Sequence, residues 1–382
     1  MRLRLVILIL TTLVFLPAQV LALETTARAA VVMDFRTGTV LLEKNPDQSL
    51  PPASMSKLMT INMVFEALAD GRLSLDEELP VSKHATSYKG STMFLTTRDK
   101  VRVEDLIRGV IVLSGNDASV VLAEALAGSE TEFARAMNER AKQLGMTHST
   151  FANANGWPHP NQRMSARDLV TLAARIIREF PQYYGYFGEK EFKFDGRAPA
   201  NSRNRNPLLK LDVGADGLKT GHTSEAGYGV VGSGVKNGRR VVLMISGLDS
   251  EEARAREAEK LMNWAFRQFI EKKILSKGDV FAQADIWLGE QRSVDLVAHE
   301  DLTLLLPASV NGGLKAEVRL QAPILAPVTE GQALGEMTIS VPGMSDVSLA
   351  LVAAASVEKA GLMSRLRLSA SLLGQKILDL VN

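Results

Sequence analysis

No cysteine occurs anywhere in the 382 residues, yet the first residues mark the chain for export, so its fold cannot rest on disulfide bridges. Arg2 and Arg4 precede an apolar run from Leu5 to Leu10 that resumes from Leu13 to Leu16 and ends on Val20-Leu21-Ala22. A charged start, a short apolar middle and a small-residue exit predict a secretory signal peptide over residues 1–22, cut after Ala22. The apolar stretch is short for a membrane span, although an uncleaved anchor is the alternative. Exported domains often rely on disulfides; this one must rely on buried apolar surface. Its length exceeds what one core usually organises, which predicts two domains. Loss of the leader takes the formal charge from +1 to −1. No basic stripe remains to hold phosphates, which argues against nucleic acid as a partner.

Strand and helix patterns mix from about Ala29 to Phe269. Ala30 to Phe35 and Thr39 to Glu43 flank a turn at Arg36-Thr37-Gly38, and Tyr228 to Val235 and Arg240 to Ser246 flank Asn237-Gly238, the pair that a type I′ turn prefers. An antiparallel sheet is therefore built from both ends of this region. Helices are predicted between them, over Ser54 to Ala69, Asp105 to Leu113, Asp117 to Ala127 and Glu132 to Leu144, with a closing helix from Glu251 to Phe269. After Lys273, short runs at Val280 to Ile286, Leu302 to Leu306, Ala316 to Leu320 and Met337 to Val341 predict an all-β domain. From Val357 to Asn382 the pattern turns helical, with Leu362, Leu366, Ala370, Leu373, Ile377 and Leu380 on one stripe and Arg365, Arg367 and Lys376 off it. That suits an anionic bilayer surface, or a helix packed on its own domain.

Three short segments carry the chemistry. Ser54 and Lys57 are three apart, so a helix puts them on one face, with the serine near the positive end of the helix dipole. A lysine desolvated one turn in can take the serine proton. Alone, the same residues read as a helix cap followed by a surface lysine. Ser114-Gly115-Asn116 falls in a break between two helices with apolar flanks; alone, it is an ordinary turn. Lys219-Thr220-Gly221 precedes the Asn237-Gly238 hairpin, where a strand edge presents a cation and a hydroxyl to a carboxylate and Gly221 lets a substrate backbone approach. Alone, it reads as a β-turn.

Together and in this order the three resemble S-x-x-K, the middle serine motif and K-T-G of penicillin-recognising enzymes. The segments Ala53 to Thr60, Leu113 to Ala118 and Gly217 to Thr223 resemble the low-molecular-mass serine D-Ala-D-Ala carboxypeptidases of the penicillin-binding protein 5 and 6 group. Gly115 stands where β-lactamases carry Asp. The resemblance implies an α+β fold: a β-lactamase/transpeptidase-like catalytic domain (23–270), with an antiparallel sheet flanked by helices, a small all-β domain (271–356) and a terminal amphipathic membrane-association helix (357–382). It implies that Ser54 attacks the carbonyl between two D-alanines, with Lys57 as proton acceptor. Ser114 relays a proton to the leaving group, Asn116 bonds the acyl group or Lys57, and Lys219 and Thr220 bind the terminal carboxylate. Backbone N–H groups, that of Ser54 included, form the oxyanion hole. His222 follows the K-T-G segment as a residue shaping the substrate site or the sheet, while Arg205 and Asp168 resemble residues of a loop near the site. The partners implied are a peptidoglycan stem peptide ending in D-Ala-D-Ala, β-lactams as covalent inhibitors, and the membrane surface. The place implied is the periplasmic face of the inner membrane.

A β-lactamase is the nearest rival, but no glutamate lies between Glu139 and Glu179, where a class A deacylation base is expected. An endopeptidase uses the same nucleophile and stays open, as does, less readily, a non-catalytic peptidoglycan-binding module. No metal or cofactor is expected, because His84, His148, His159, His222 and His299 are scattered, without ligand spacing.

Overall fold

The computed structural model describes residues 23–197, 201–308, 314–340 and 346–361. The expected leader and nearly all of the expected tail helix lie outside these residues. In chain order the catalytic part runs β1 (Ala29–Asp34), β2 (Val40–Lys44), a 3-10 turn (Ala53–Ser56) leading into α1 (Lys57–Ala69), β3 (Glu78–Pro80), β4 (Lys100–Arg102) and α2 (Val103–Ile111). It continues through α3 (Asn116–Ala127), α4 (Glu130–Gln143), α5 (Ala166–Glu179), the short α6 (Pro181–Tyr184), β5 (Ala215–Thr223), β6 (Gly227–Lys236), β7 (Arg239–Leu248) and α7 (Glu251–Gln268).

Five strands form one antiparallel sheet in the order β2-β1-β7-β6-β5. Strand alternation divides its side chains between two cores. Val31, Val242 and Met244 face a helical layer that includes Leu58, Phe65, Val120 and Leu169. Ala30, Val32, Val241, Leu243 and Ile245 face Ala258, Leu261, Met262 and Ala265 of α7. The sheet is thus sandwiched between α7 and a bundle of helices. Asn237 and Gly238 both adopt positive φ, at 53° and 77°, which is the type I′ geometry that their pairing predicts. Ser129, Ser165 and Ser250 cap α4, α5 and α7, each accepting a backbone N–H three residues on. Helix α5 was not among the predicted helices. Its apolar positions Leu169, Val170, Leu172, Ala173, Ile176 and Ile177 nevertheless recur at helical spacing and are buried.

Helix α7 runs directly into β8 (Phe269–Leu275), the first strand of the second domain, so the chain is extended before the expected boundary at residue 271. The rest comprises β9 (Val280–Trp287), β10 (Ser293–Ala298), β11 (Leu302–Pro307), β12 (Lys315–Leu320), β13 (Ile324–Leu325), β14 (Ala333–Ser340) and β15 (Val347–Ala353). A sheet ordered β12-β14-β15-β10-β9-β13 and the β8–β11 pair enclose one apolar core including Leu296, Leu304, Leu306, Met337 and Leu351. The domains are joined by charge as well as by chain: Arg36 of the first pairs with Glu271 of β8, and Arg239, paired with Asp34, donates to the carbonyl oxygen of Phe269 at the start of β8. One boundary needs correcting. Val357 bridges Val328 and Lys359 bridges Gly289, so residues 357–360 are pinned to the β-domain and no helix begins at Val357.

Candidate active site

Ser54 sits in the 3-10 turn that opens α1, and Lys57 is the first residue of that helix. The turn is built with strain: Ala53 has φ 48°, a left-handed value that a non-glycine residue adopts at a cost of about 1–3 kcal/mol. What holds it is close packing on two sides. A Cβ on Gly156 would lie 2.0 Å from the carbonyl oxygen of Ala53, and one on Gly221 would lie 2.8 Å from that of Pro52. The lack of a side chain at Gly221 lets strand β5 press against the turn bearing Ser54.

Lys57 is wholly buried, whereas Ser54 is half-exposed. The ammonium nitrogen of Lys57 lies 3.0 Å from Ser54 Oγ, 2.7 Å from Asn116 Oδ1 and 2.5 Å from the carbonyl oxygen of Asn155. Burial is the main force lowering its proton affinity, to a pKa of about 7; Arg205 lowers it further, while Asp117 and Glu130 oppose. Three oxygens suit both protonation states. A charged lysine has three N–H groups for them; a neutral one gives two to Asn116 Oδ1 and the Asn155 carbonyl oxygen and turns its lone pair to the Ser54 hydroxyl. A proton can pass between serine and lysine without any heavy atom moving far.

The second pair faces the first. Ser114 occupies the break between α2 and α3 at φ 61°, and Lys219 reaches it from β5 with Nζ 3.0 Å from Ser114 Oγ. Lys219 also donates to the carbonyl oxygen of Thr220 and is 4 % exposed. Burial, then the charges of Lys57, Arg205 and Arg254, hold its pKa well below the usual lysine value. Strand β5 is an edge of the sheet, as expected, with Lys219 opposite Val231 and His222 opposite Tyr228. Thr220 is buried beside Lys219.

Asn116 is committed to the protein at both ends of its amide, Oδ1 on Lys57 and Nδ2 donating to the carbonyl oxygen of Lys89. Of the two roles foreseen for it, bonding Lys57 is the one the geometry supports. Arg205 is exposed at the rim, donating to Ser91 Oγ and Asn201 Oδ1 at 2.7 Å each. His222 is exposed and stacks on Tyr228 with centroids 3.9 Å apart. Asp168 belongs elsewhere: its carboxylate accepts from His148 N and Ser149 Oγ, which ties a loop to the start of α5.

The sequence reading missed the segment Asn153 to Trp157, which supplies the Asn155 carbonyl, and the carboxylates of Asp117 and Glu130. Asp117 accepts from the backbone N–H groups of Met93 and Leu95 and so fixes the irregular stretch beside α3, where Phe94 has φ 58°. The run Phe151-Ala-Asn-Ala-Asn-Gly-Trp157 was the available signal, since turn formers set among apolar residues mark a loop carried into a core.

A hydroxyl hydrogen-bonded to a buried lysine, and to no histidine among the described residues, is the arrangement of serine hydrolases that use an amine as base. The chain belongs to the D-alanyl-D-alanine carboxypeptidase family, peptidase S11, whose model matches residues 17–250; the model of the penicillin-binding protein 5 C-terminal domain matches residues 269–359. It is 37 % identical to the D-alanyl-D-alanine carboxypeptidase DacC of Escherichia coli over 348 residues, 89 % of this chain and 86 % of the relative. The crystal structure of penicillin-binding protein 5 from Haemophilus influenzae superposes with a TM-score of 0.77 at 35 % identity, covering 88 % of this chain and 98 % of the other. Penicillin-binding protein D2 of Listeria monocytogenes, in its ampicillin-bound form, matches with a TM-score of 0.57 at 33 % identity, over 63 % of this chain and 97 % of that one. The chain is thus a serine-type peptidase with a transpeptidase-like catalytic domain and an all-β companion.

Proposed function

We propose that the chain removes the terminal D-alanine from peptidoglycan stem pentapeptides through an acyl-enzyme on Ser54. The observation that carries this reading is the placement of Lys57 Nζ, buried and 3.0 Å from Ser54 Oγ. Ser54 Oγ bonds to the carbonyl carbon between the two D-alanines as its proton passes to Lys57. The C–N bond then breaks, and the leaving amine takes a proton by way of Ser114. Water adds to the ester and restores the serine. Lys219, Thr220 and Arg205 receive the terminal carboxylate, and His222 lines the approach. β-Lactams enter the same route, because their ring offers an acylating carbonyl beside a carboxylate. The test is incubation with a pentapeptide ending in D-Ala-D-Ala and with a labelled penicillin. Free D-alanine and a label on Ser54 in the digested protein are the expected results; a label on another serine overturns the nucleophile.

The leader and the amphipathic pattern after Gly361 support a place on the periplasmic face of the inner membrane, where the substrate lies. Among the described residues no helix is long and apolar enough to cross a membrane. The pairing of residues 357–360 puts the informative truncation after Gly361. Deleting residues 362–382 is expected to move the protein from the membrane pellet to the soluble periplasmic fraction with penicillin acylation intact. A truncated protein that stays in the pellet overturns the anchor.

A further inference from the structure

Glu130, the first residue of α4, is a buried carboxylate that no step of the proposed reaction uses. Its Oε2 accepts from Tyr88 Oη at 2.9 Å and lies 2.7 Å from His84 Nε2, while Oε1 accepts from the backbone N–H of Ala154 at 3.0 Å. With its acceptor sites so engaged, it is no free base toward an acyl group.

The two loops it holds both end at Lys57. The Ala154 loop continues to Asn155, whose carbonyl oxygen accepts from Lys57 Nζ, and the Ala154 carbonyl oxygen accepts from Thr60 Oγ1 on the next turn of α1. The Tyr88 loop continues to Lys89, whose carbonyl oxygen holds the Asn116 amide that in turn faces Lys57. Tyr88 and Trp157 close the clasp from outside, with ring centroids 5.7 Å apart. Two of the three oxygens around Lys57 are therefore linked to one carboxylate through short chains of hydrogen bonds. A charge on this carboxylate also bears on Lys57, whose burial leaves it less screened than in water.

We propose that Glu130 is a positioning residue for the proton transfer, clasping the Tyr88 and Asn155 loops so that the Asn155 carbonyl oxygen and, through the Lys89 carbonyl oxygen, the Asn116 side-chain amide orient Lys57, and stabilising the protonated lysine by its charge. This deepens the reading of Ser54 and Lys57 as nucleophile and base, and rests on it. The other charged groups facing Lys57 are Asp117 from α3, Lys219 from β5 and Arg205 from the rim. They are common to the wild type and Glu130→Gln, as are His84 and Tyr88 on the Glu130 side. A charge at Glu130 favours Lys57 in its protonated form, so removing it makes the lysine lose its proton at lower pH.

The experiment measures the rate of Ser54 acylation by a fluorescent penicillin across pH for the full chain and for Glu130→Gln, which keeps an acceptor for the Ala154 N–H but not the charge. The midpoint of the rising limb is expected to move down by about half a pH unit, with the plateau lowered about three- to tenfold by the loosened clasp. A midpoint that stays in place in a folded Glu130→Gln overturns the proposal, even if the plateau falls, because a merely structural role lowers the rate at every pH alike. If Glu130→Gln does not fold, Tyr88→Phe tests the clasp alone: the plateau is expected to fall with the midpoint unmoved, and wild-type rates overturn the proposal. Failure of the parent reading shows elsewhere, as a wild-type protein that forms no adduct on Ser54.

Discussion

The start of α1 and the edge strand β5 each bring a buried lysine to a serine at 3.0 Å, yet the two lysines are held differently. Lys57 has three oxygen neighbours, two of them carbonyl oxygens fixed by the fold. Lys219 has two acceptors, Ser114 Oγ and the carbonyl oxygen of Thr220, and lies in the field of Lys57, Arg205 and Arg254. A protonated lysine has three N–H groups, so among the described residues Lys219 keeps one for an incoming oxygen, while Lys57 is complete. The difference teaches that burial alone does not assign a role. In the proposed reaction, the lysine with its acceptors already in place exchanges a proton, and the one left short of an acceptor receives an anion.

The largest expected effect tests the first half of that contrast. Lys57→Ala is expected to abolish measurable acylation, a loss of about a thousandfold or more if the lysine is the base. The wild-type rate is expected to rise with pH through about 7, where burial has placed the lysine's pKa, because only the neutral amine accepts the serine proton. The sign for stability runs the same way. Between about pH 7 and the ordinary lysine value of 10.5 the unfolded chain holds a proton that folded Lys57 has lost, so this group's contribution favours folding increasingly as pH rises. A folded Lys57→Ala protein that acylates at the normal rate breaks the comparison outright.

Lys219→Ala is expected to cost less, about ten- to a hundredfold in kcat/KM, equivalent to a charge-assisted contact of about 1.5–3 kcal/mol. The loss is expected chiefly in KM for substrates that end in a carboxylate. Its hydrogen bond to Ser114 adds a smaller fall in kcat, which the sequence alone did not foresee. The comparison sharpens with a substrate whose terminal carboxylate is amidated. If Lys219→Ala slows that substrate as much as the free acid, the lysine acts only through Ser114 and not as an anion receptor.

The sequence carried a good deal of this arrangement, for reasons specific to each residue. Ser54 and Lys57 share a helix turn, and periodicity alone puts them on one face. Asn237-Gly238 names its own turn, which fixes the register of β6 on β7 and gives the sheet two of its strands. Lys219 was legible as an edge-strand cation, but its partner Ser114 lies 105 residues away in the chain, and no local pattern joins them. The Asn155 carbonyl was hidden for a related reason. It is a main-chain group, whose identity no residue type reveals, and Glu130 positions it from a helix 24 residues earlier than Ala154. Asp168 misled because a carboxylate three residues into a capped helix looks the same in sequence whether it faces substrate or, as here, a neighbouring loop.

The smallest effect tests what keeps the two lysine regions in register with each other. Gly221 is where β5 meets the turn of Ser54: an added Cβ would stand 2.8 Å from the Pro52 carbonyl oxygen, 3.1 Å from Met55 Cγ and 3.2 Å from Ala53 Cβ. The methionine side chain can yield, but the Pro52 carbonyl belongs to a strained turn, so Gly221→Ala must push β5 outward by a few tenths of an ångström. Neither lysine changes chemically, and the Lys57–Ser54 hydrogen bond does not involve β5. The altered quantities are the placement of Lys219 against Ser114 and its distance from the Ser54 pair. Misplacement by 1 Å costs about a hundredfold in well-ordered sites, so a shift of this size is expected to slow acylation about three- to fivefold, with the pH midpoint near 7 unchanged. Kinetics of penicillin acylation across pH read both quantities at once. A Gly221→Ala protein with unaltered rates shows that the two regions tolerate independent movement; one whose midpoint shifts shows that β5 also governs the surroundings of Lys57.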